Sequence, residues 1–211
     1  MVREAADAGV WLELLAVREG DRFEAPADRT VVLAERVFNA ISQTVTPQGV
    51  LAVARVAERP FGEALGAARE AGWPLLVLDG VQDPGNVGTI CRTAAAAGAP
   101  ALAVMAGSAD PFGPKAVRAS AGDVFRLLVA RAVEADLDGL RAFGAAARGG
   151  ALLDSAPLEL ADALVLGSEA HGLSRIGLEL VTIPLASGVE SLNVAAAAAV
   201  LLFEIRRRKT A

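Results

Sequence analysis

The stretch Leu75-Leu76-Val77-Leu78-Asp79-Gly80-Val81-Gln82-Asp83-Pro84-Gly85-Asn86-Val87-Gly88-Thr89-Ile90-Cys91-Arg92 reads as an apolar run, a turn-forming loop and the start of a helix. Leu75–Leu78 is apolar on both faces, as a strand buried between layers of helices must be. In the loop Asp79–Gly88, Pro84, Gly85 and Gly88 shape a turn that other residues resist. Thr89–Ala97 then reads as a helix closed by Gly98. Asn86 stands just before that helix, where an amide can cap free N–H groups, and Arg92 about one turn inside it.

The same alternation runs on toward the C-terminus. Ala101–Met105 reads as a strand, Pro114–Ala121 as a helix, Val124–Ala132 as a strand and Leu137–Ala147 as a helix closed by Gly149-Gly150. Ala151–Asp154 and Ala163–Leu166 read as strands. A loop, Gly167–Gly172, leads to a short helix through Leu178. Val181–Leu185 is the last strand and Ser191–Lys209 a long final helix. Strands alternating with helices give a parallel sheet covered on both faces, an α/β fold. Ligands of such sheets lie beyond the carboxyl ends of the strands.

Before Pro74 the pattern is that of a smaller α/β module. Arg3–Ala8 is helical, Val10–Val17 a strand, Glu19–Arg29 a loop and Val31–Leu33 a short apolar run. Ala34–Ser42 has helical spacing, with Val37, Phe38 and Ile41 on one face. Thr46-Pro47-Gln48-Gly49 is a turn and Val50–Val56 a strand. The chain therefore divides into a module over 1–56, a connector over 57–72 and a larger domain over 73–211.

With 211 residues, 54% of them hydrophobic and only 21% charged, the chain can bury a substantial core and is far from a disordered profile. No apolar run is long enough to span a membrane, and the charged start Met1-Val2-Arg3-Glu4 lacks a signal-peptide core. The lone Cys91 excludes an internal disulfide. These features favour the cytoplasm. A net charge of −5 is unusual for a nucleic-acid binder. The basic run Arg206-Arg207-Arg208-Lys209 reads as a solvated helix end that suits the helix dipole, or as a phosphate-contacting tail.

Three loops carry the candidate chemistry. The first, Asp79–Arg92, is not a P-loop, because no Gly-Lys-Ser/Thr follows, and its glycines do not form a dinucleotide fingerprint. The second, Gly167–Gly172, permits close approach of a ligand to backbone, and Glu169 supplies acceptors. His171, the only histidine, has no evident nucleophile or carboxylate partner and makes no zinc site with Cys91 alone. The third runs from Ile183-Pro184-Leu185 to Ser191-Leu192-Asn193-Val194. Ser191 reads as the N-cap of the final helix, whose Ala195–Ala199 start lets a neighbour pack closely.

In order and content these segments resemble the SpoU (TrmH-type) RNA 2′-O-ribose methyltransferases of the SPOUT class. The matching residues are Asn86-x-Gly88-x-x-x-Arg92-Thr93-Ala94, Gly167-x-Glu169-x-x-Gly172, and Ile183-Pro184-Leu185 with Ser191-Leu192-Asn193-Val194. The resemblance covers 74–211. Val37-Phe38 and Thr46-Pro47-Gln48-Gly49-Val50 resemble the tail of the L30e-like RNA-binding domain that often precedes it, here shortened at its start.

The resemblance implies a parallel sheet tied in a C-terminal trefoil knot, with S-adenosylmethionine bound there by Gly167, Ser168, Glu169, Ile183, Leu185 and Leu192. It implies transfer of a methyl group to an RNA ribose 2′-hydroxyl. Arg92 would be central to catalysis, Asn86 would orient it or the ribose, and Glu169, Ser191 and Asn193 would hold substrate and loops. Lys115, Arg118 and Ser120 become candidates for RNA contact. A homodimer, no metal and no membrane complete the expectation. The L30e-like remnant favours 23S rRNA over tRNA as substrate. A non-catalytic RNA-binding or ribosome assembly factor of the same fold is the other reading.

Overall fold

A computed structural model describes residues 1–42, 46–168, 172–174 and 177–210. The chain forms two compact units, Met1–Ala57 and Glu58–Ala211.

The first unit contains α1 (Val2–Asp7), β1 (Trp11–Arg18), β2 (Arg29–Leu33), α2 (Glu35–Ile41) and β3 (Val50–Arg55). Its sheet has the order β2-β1-β3, with β1 parallel to β2 and antiparallel to β3. Leu12, Leu15, Ala16, Val17 and Phe38 form its core. The apolar face expected of the second helix is only partly used: Phe38 is buried, whereas Val37 and Ile41 are exposed. Neighbouring helix positions differ by about 100°, so Val37 turns away from the sheet that Phe38 enters, and Ile41 ends the helix.

The second unit contains α3 (Phe61–Glu70), β4 (Leu75–Asp79), α4 (Pro84–Ala97), β5 (Ala101–Met105), α5 (Pro114–Ala119), β6 (Leu128–Ala132), β7 (Ala142–Ala145), β8 (Ala151–Leu152), β9 (Ala163–Gly167), β10 (Glu179–Thr182) and α6 (Val194–Thr210). Seven strands in the order β6-β5-β4-β9-β7-β10-β8 form one sheet, and every pairing is parallel. Alternate residues of β4 feed two cores. Leu76 and Leu78 join the core that includes α4, α5 and α6, while Leu75 and Val77 join the one that includes α3. This two-sided burial explains why β4 and β5 read as unbroken apolar runs. The 57–72 segment, read as a connector, holds α3, whose Ala64, Leu65 and Ala68 are buried in the second unit.

Several boundaries differ from the sequence reading. Helix α4 begins at Pro84, five residues early, because Asp83 caps it by accepting the Asn86 N–H at 2.9 Å and Pro84 occupies the first turn. Gly88 therefore lies inside the helix, where it serves packing: a Cβ there would collide with the Ala116 carbonyl and the Ala119 side chain of α5. The helix expected over Leu137–Ala147 is instead a single 3₁₀ turn, Glu134–Leu137, followed by strand β7. Between β9 and β10 the sheet overrides local helix preference, and Gly144 leaves the gap that the Leu173 side chain enters. Residues 124–126, expected at the start of a strand, belong to a 3₁₀ turn, Asp123–Arg126, before β6. Strand β10 stops at Thr182, ahead of Pro184, which has no N–H to continue a ladder. The short helix expected through Leu178 is not seen at residues 172–174 and 177–178.

The basic C-terminal run is structural. Arg206 donates to the Ala97 carbonyl at 2.8 Å, at the end of α4. Lys209 donates to the carbonyls of Ala71 and Gly72, just past α3, and lies 5.4 Å from the centre of the Trp73 ring. Arg208 donates to the Ala156 carbonyl at 2.6 Å and to that of Leu153, and pairs with Glu159 and Glu204. Cations from α6 thus satisfy carbonyls at the ends of α3 and α4 and in the loop after β8. Arg207 and Arg208 together hold the Glu204 carboxyl down at about 2, against an ordinary 4.5. A depressed carboxyl stabilises the fold above its ordinary range and loses that effect as pH falls from about 4.5 toward 2. Arg208→Ala should lower unfolding free energy by about 2–4 kcal/mol in denaturant titration at neutral pH, since several charge-assisted bonds are lost together.

Among the described residues, no helix is long and apolar enough to cross a membrane.

Candidate functional site

A cavity of about 420 Å³ opens in the second unit beyond the carboxyl ends of β7, β9 and β10. Its wall is built from four stretches: 145–147 after β7, 166–168 with 172–173 around the end of β9, 181–185 at the end of β10, and 191–194 with Ala197 and Leu201 at the start of α6. The size lies within the range of small-molecule and cofactor sites.

Local structure fixes each wall. Ser168 and Gly172 exchange two backbone hydrogen bonds, each 2.9 Å, which tie the start of the second loop to its end. Gly167 makes this possible, because a Cβ there would overlap the backbone of Gly172 and the Leu173 nitrogen. The 145–150 turn is pinned at both ends: Ala146 N–H donates to the Val181 carbonyl at 2.9 Å, and Gly150 N–H to Thr182 Oγ1 at 3.1 Å. Asn193, two residues after the expected Ser191, caps α6, its Oδ1 accepting from the Ala195 and Ala196 N–H groups at 3.0 and 3.3 Å.

The residues singled out in the sequence fall into distinct groups. Gly167, Ser168, Ile183, Leu185, Leu192, Ser191 and Asn193 all line the cavity. Glu169 lies outside the described residues, as does His171. Asn86, in the first turn of α4, accepts a hydrogen bond on Oδ1 from Asn193 Nδ2 at 3.1 Å. The first and third motifs, 107 residues apart, meet there. Arg92 is six residues further along α4, about 9 Å along the helix axis, and is exposed outside the cavity wall. Among the described residues its guanidinium has no side-chain or backbone partner.

The three candidates for RNA contact part company. Lys115 is exposed and pairs with Asp83 at 3.0 Å; together with the Asn86 N–H it holds the Asp83 carboxyl below its usual range. Arg118 is exposed on α5. Ser120 is fully buried, donating to the Val117 carbonyl at 2.9 Å and accepting from Gly122 N–H, so it closes its own helix and presents nothing at the surface.

Sequence reasoning missed two parts of the site. The 145–147 wall was hidden inside the expected helix. Asp79, buried at the end of β4, accepts hydrogen bonds from the N–H and the hydroxyl of Ser174, just beyond the cavity wall at Leu173. The glycines at 149 and 150 carried a signal for the first, since paired glycines mark a turn as readily as a helix end. No local signal could link residues 79 and 174.

Chemically, the cavity offers leucine, isoleucine and alanine surface, two serine hydroxyls, one amide and backbone edges. Among the described residues, the backbone groups of Ile183, Leu185 and Leu192 make no hydrogen bond, so they are open to a ligand. None of the described wall residues carries a charge, and no described cluster of acidic, histidine or cysteine residues suits a metal ion. Such walls suit a flat heteroaromatic group read by shape and backbone.

Cys91 is no nucleophile. It is buried in α4, and burial pushes its thiol up to about 12. Native protein at pH 8 should take up a thiol reagent more than about a hundredfold more slowly than the denatured chain, as mass spectrometry would show.

The model of the SpoU rRNA Methylase family matches residues 74–203. The chain is 34% identical to the 23S rRNA (guanosine(2553)-2′-O)-methyltransferase RlmP of Bacillus subtilis (strain 168), across 98% of this chain and 85% of that protein. It is 35% identical to the 23S rRNA (guanosine-2′-O-)-methyltransferase RlmB of Xanthomonas campestris pv. campestris, across 82% of this chain and 76% of that protein. Among solved structures, an AdoMet-bound rRNA methyltransferase from Sinorhizobium meliloti superposes with a TM-score of 0.81 at 29% identity, covering 98% of this chain and 84% of that one. On the match over 74–203 and this similarity along nearly its whole length, the chain belongs to the SpoU rRNA methylase family.

Proposed function

We propose that the protein is an S-adenosylmethionine-dependent 2′-O-ribose methyltransferase acting on 23S rRNA. One observation carries the reading. The Asn86–Asn193 contact joins the helix that bears Arg92 to the mouth of a cavity whose walls suit an adenosine. The activities of the relatives point the same way. When bound, the cofactor would supply a methyl group on a sulfonium for transfer to the ribose oxygen, leaving a neutral thioether, and the hydroxyl proton would pass to water.

The protein's part is alignment and charge. Backbone at Ile183, Leu185 and Leu192 fits the edge of an adenine, with Gly167 and Ser168 against the ribose side. Glu169 and Ser191 would hold the substrate and the loops. Asn86 and Asn193 brace each other and fix the approach of the target hydroxyl. Arg92 does not act as a base, because guanidinium stays protonated in proteins. It stabilises the developing alkoxide or the neighbouring phosphate. Lys115 and Arg118 lie on α5, which packs against α4, and contact the RNA backbone.

Arg92 lies on an exposed stripe of α4 with Thr89 and Ala96, and α6 beside it exposes Val200 and Phe203. This supports a homodimer in which the RNA site is shared between subunits, bringing together the exposed cations of two chains that each carry a net charge of −5. Strand order supports the trefoil knot: β9 inserts between β4 and β7, and β10 between β7 and β8. The first unit is read as an L30e-like RNA-binding module, and the cytoplasm as the place of action.

Isothermal calorimetry with S-adenosylmethionine, followed by incubation of methyl-labelled cofactor with separated 23S rRNA and tRNA, tests the reading. Cofactor binding with label on 23S rRNA supports it. Label on tRNA alone moves the substrate, and absence of cofactor binding favours an assembly factor.

A further inference from the structure

We infer that Asp79 is a positioning residue that latches Ser174, and with it Gly172 and Leu173, into one wall of the cofactor cavity. The identity of the bound molecule rests on the function proposed above; the latch itself does not.

Asp79 is 5% exposed, and a buried carboxylate demands hydrogen bonds. Both its oxygens are engaged by one residue: Oδ2 accepts the Ser174 N–H at 2.6 Å, and Oδ1 the Ser174 hydroxyl at 2.8 Å. Among the described residues no cation pairs with it. Among the described residues, the other two buried polar ones serve nearer neighbours: Ser120 closes its own helix, and Thr182 holds Gly150. Asp79 reaches across 95 residues.

Position gives this contact its meaning. In the β4–β9 ladder Asp79 stands opposite Gly167, where the second loop departs. Ser174 lies where that loop returns. One residue therefore ties both ends, by its backbone register at the start and by its carboxylate at the finish. Between these ties, Ser168 and Gly172 pair, and Gly172 and Leu173 form the cavity wall. A two-point bond to a charged acceptor fixes orientation as well as distance. Asp79 touches neither Asn86 nor Asn193, so loosening the latch should weaken cofactor binding and spare the transfer step.

The test uses the full chain as wild type and as Ser174→Ala, Ser174→Thr and Asp79→Asn. Amide exchange is followed at Gly172 and Ser174 by NMR, with cofactor KM and kcat in methyl transfer. Ser174→Ala should raise cofactor KM about tenfold, keep kcat within about twofold, and speed exchange at those two amides but not in β4 or β9. Ser174→Thr keeps the hydroxyl and should stay near wild type. Asp79→Asn turns an amide donor toward donors and should exceed Ser174→Ala in both readouts. Unchanged exchange and KM in Ser174→Ala overturn the latch. So does a uniform loss of protection across the unit with kcat falling at unchanged KM, which marks a merely structural role. A wild-type protein that transfers no methyl group refutes the function, while the exchange data still decide the latch.

Discussion

Arg92→Ala should lower kcat for methyl transfer by about a hundred- to a thousandfold and leave cofactor affinity within about twofold. The asymmetry follows from position. Arg92 lies outside the cavity wall on the exposed side of α4, so a bound cofactor does not need it. In the proposed mechanism its fixed positive charge acts only as the hydroxyl loses its proton. Lysine offers a point charge in place of a planar fork of donors, so Arg92→Lys should recover little. Single-turnover transfer measures the loss, and calorimetry checks the cofactor. Full turnover in Arg92→Ala removes this residue from the mechanism.

The second large effect is expected at Gly167. Alanine is sterically forbidden there by neighbours: its Cβ would overlap the backbone of Gly172 and the nitrogen of Leu173. Backbone cannot swing aside as a flexible side chain can. The paired Ser168–Gly172 hydrogen bonds must open, and the wall of the cavity moves with them. Gly167→Ala should therefore weaken S-adenosylmethionine binding more than about a hundredfold while costing the fold only about 1–3 kcal/mol. Calorimetry and thermal melting separate the two. Binding at wild-type strength would show that the loop does not form the cofactor wall.

The parts of this fold legible in the sequence are those whose signals are local. Strands β4 and β5 are apolar on both faces because both faces are buried, and length alone distinguishes them from helices. Gly98 ends α4 in a left-handed conformation, φ 91°, as a closing glycine should. The start of α4 was equally local but pulled two ways, since Asp83-Pro84-Gly85 is both a turn sequence and a capped helix start. Strand β7 was not local at all. Alanines and Phe143 favour a helix until two neighbouring strands claim them, and Gly144 reveals its purpose only against Leu173.

The site divides along the same line. Its glycines and serines stood out at the ends of apolar runs. The contacts that assemble it, Asn86 with Asn193 and Asp79 with Ser174, span 107 and 95 residues, and no period or spacing encodes them. The basic tail gives the converse lesson. Its charges suggested solvent or phosphate, yet three of the four neutralise open carbonyls elsewhere in the unit.

The function turns on where the methyl group ends up. Labelled S-adenosylmethionine, the full chain and 23S rRNA should yield, after complete nuclease digestion and mass spectrometry, a single nucleoside with the label on its ribose 2′-oxygen. Label on a base, or an RNA that stays unlabelled while the protein binds the cofactor, would contradict the account.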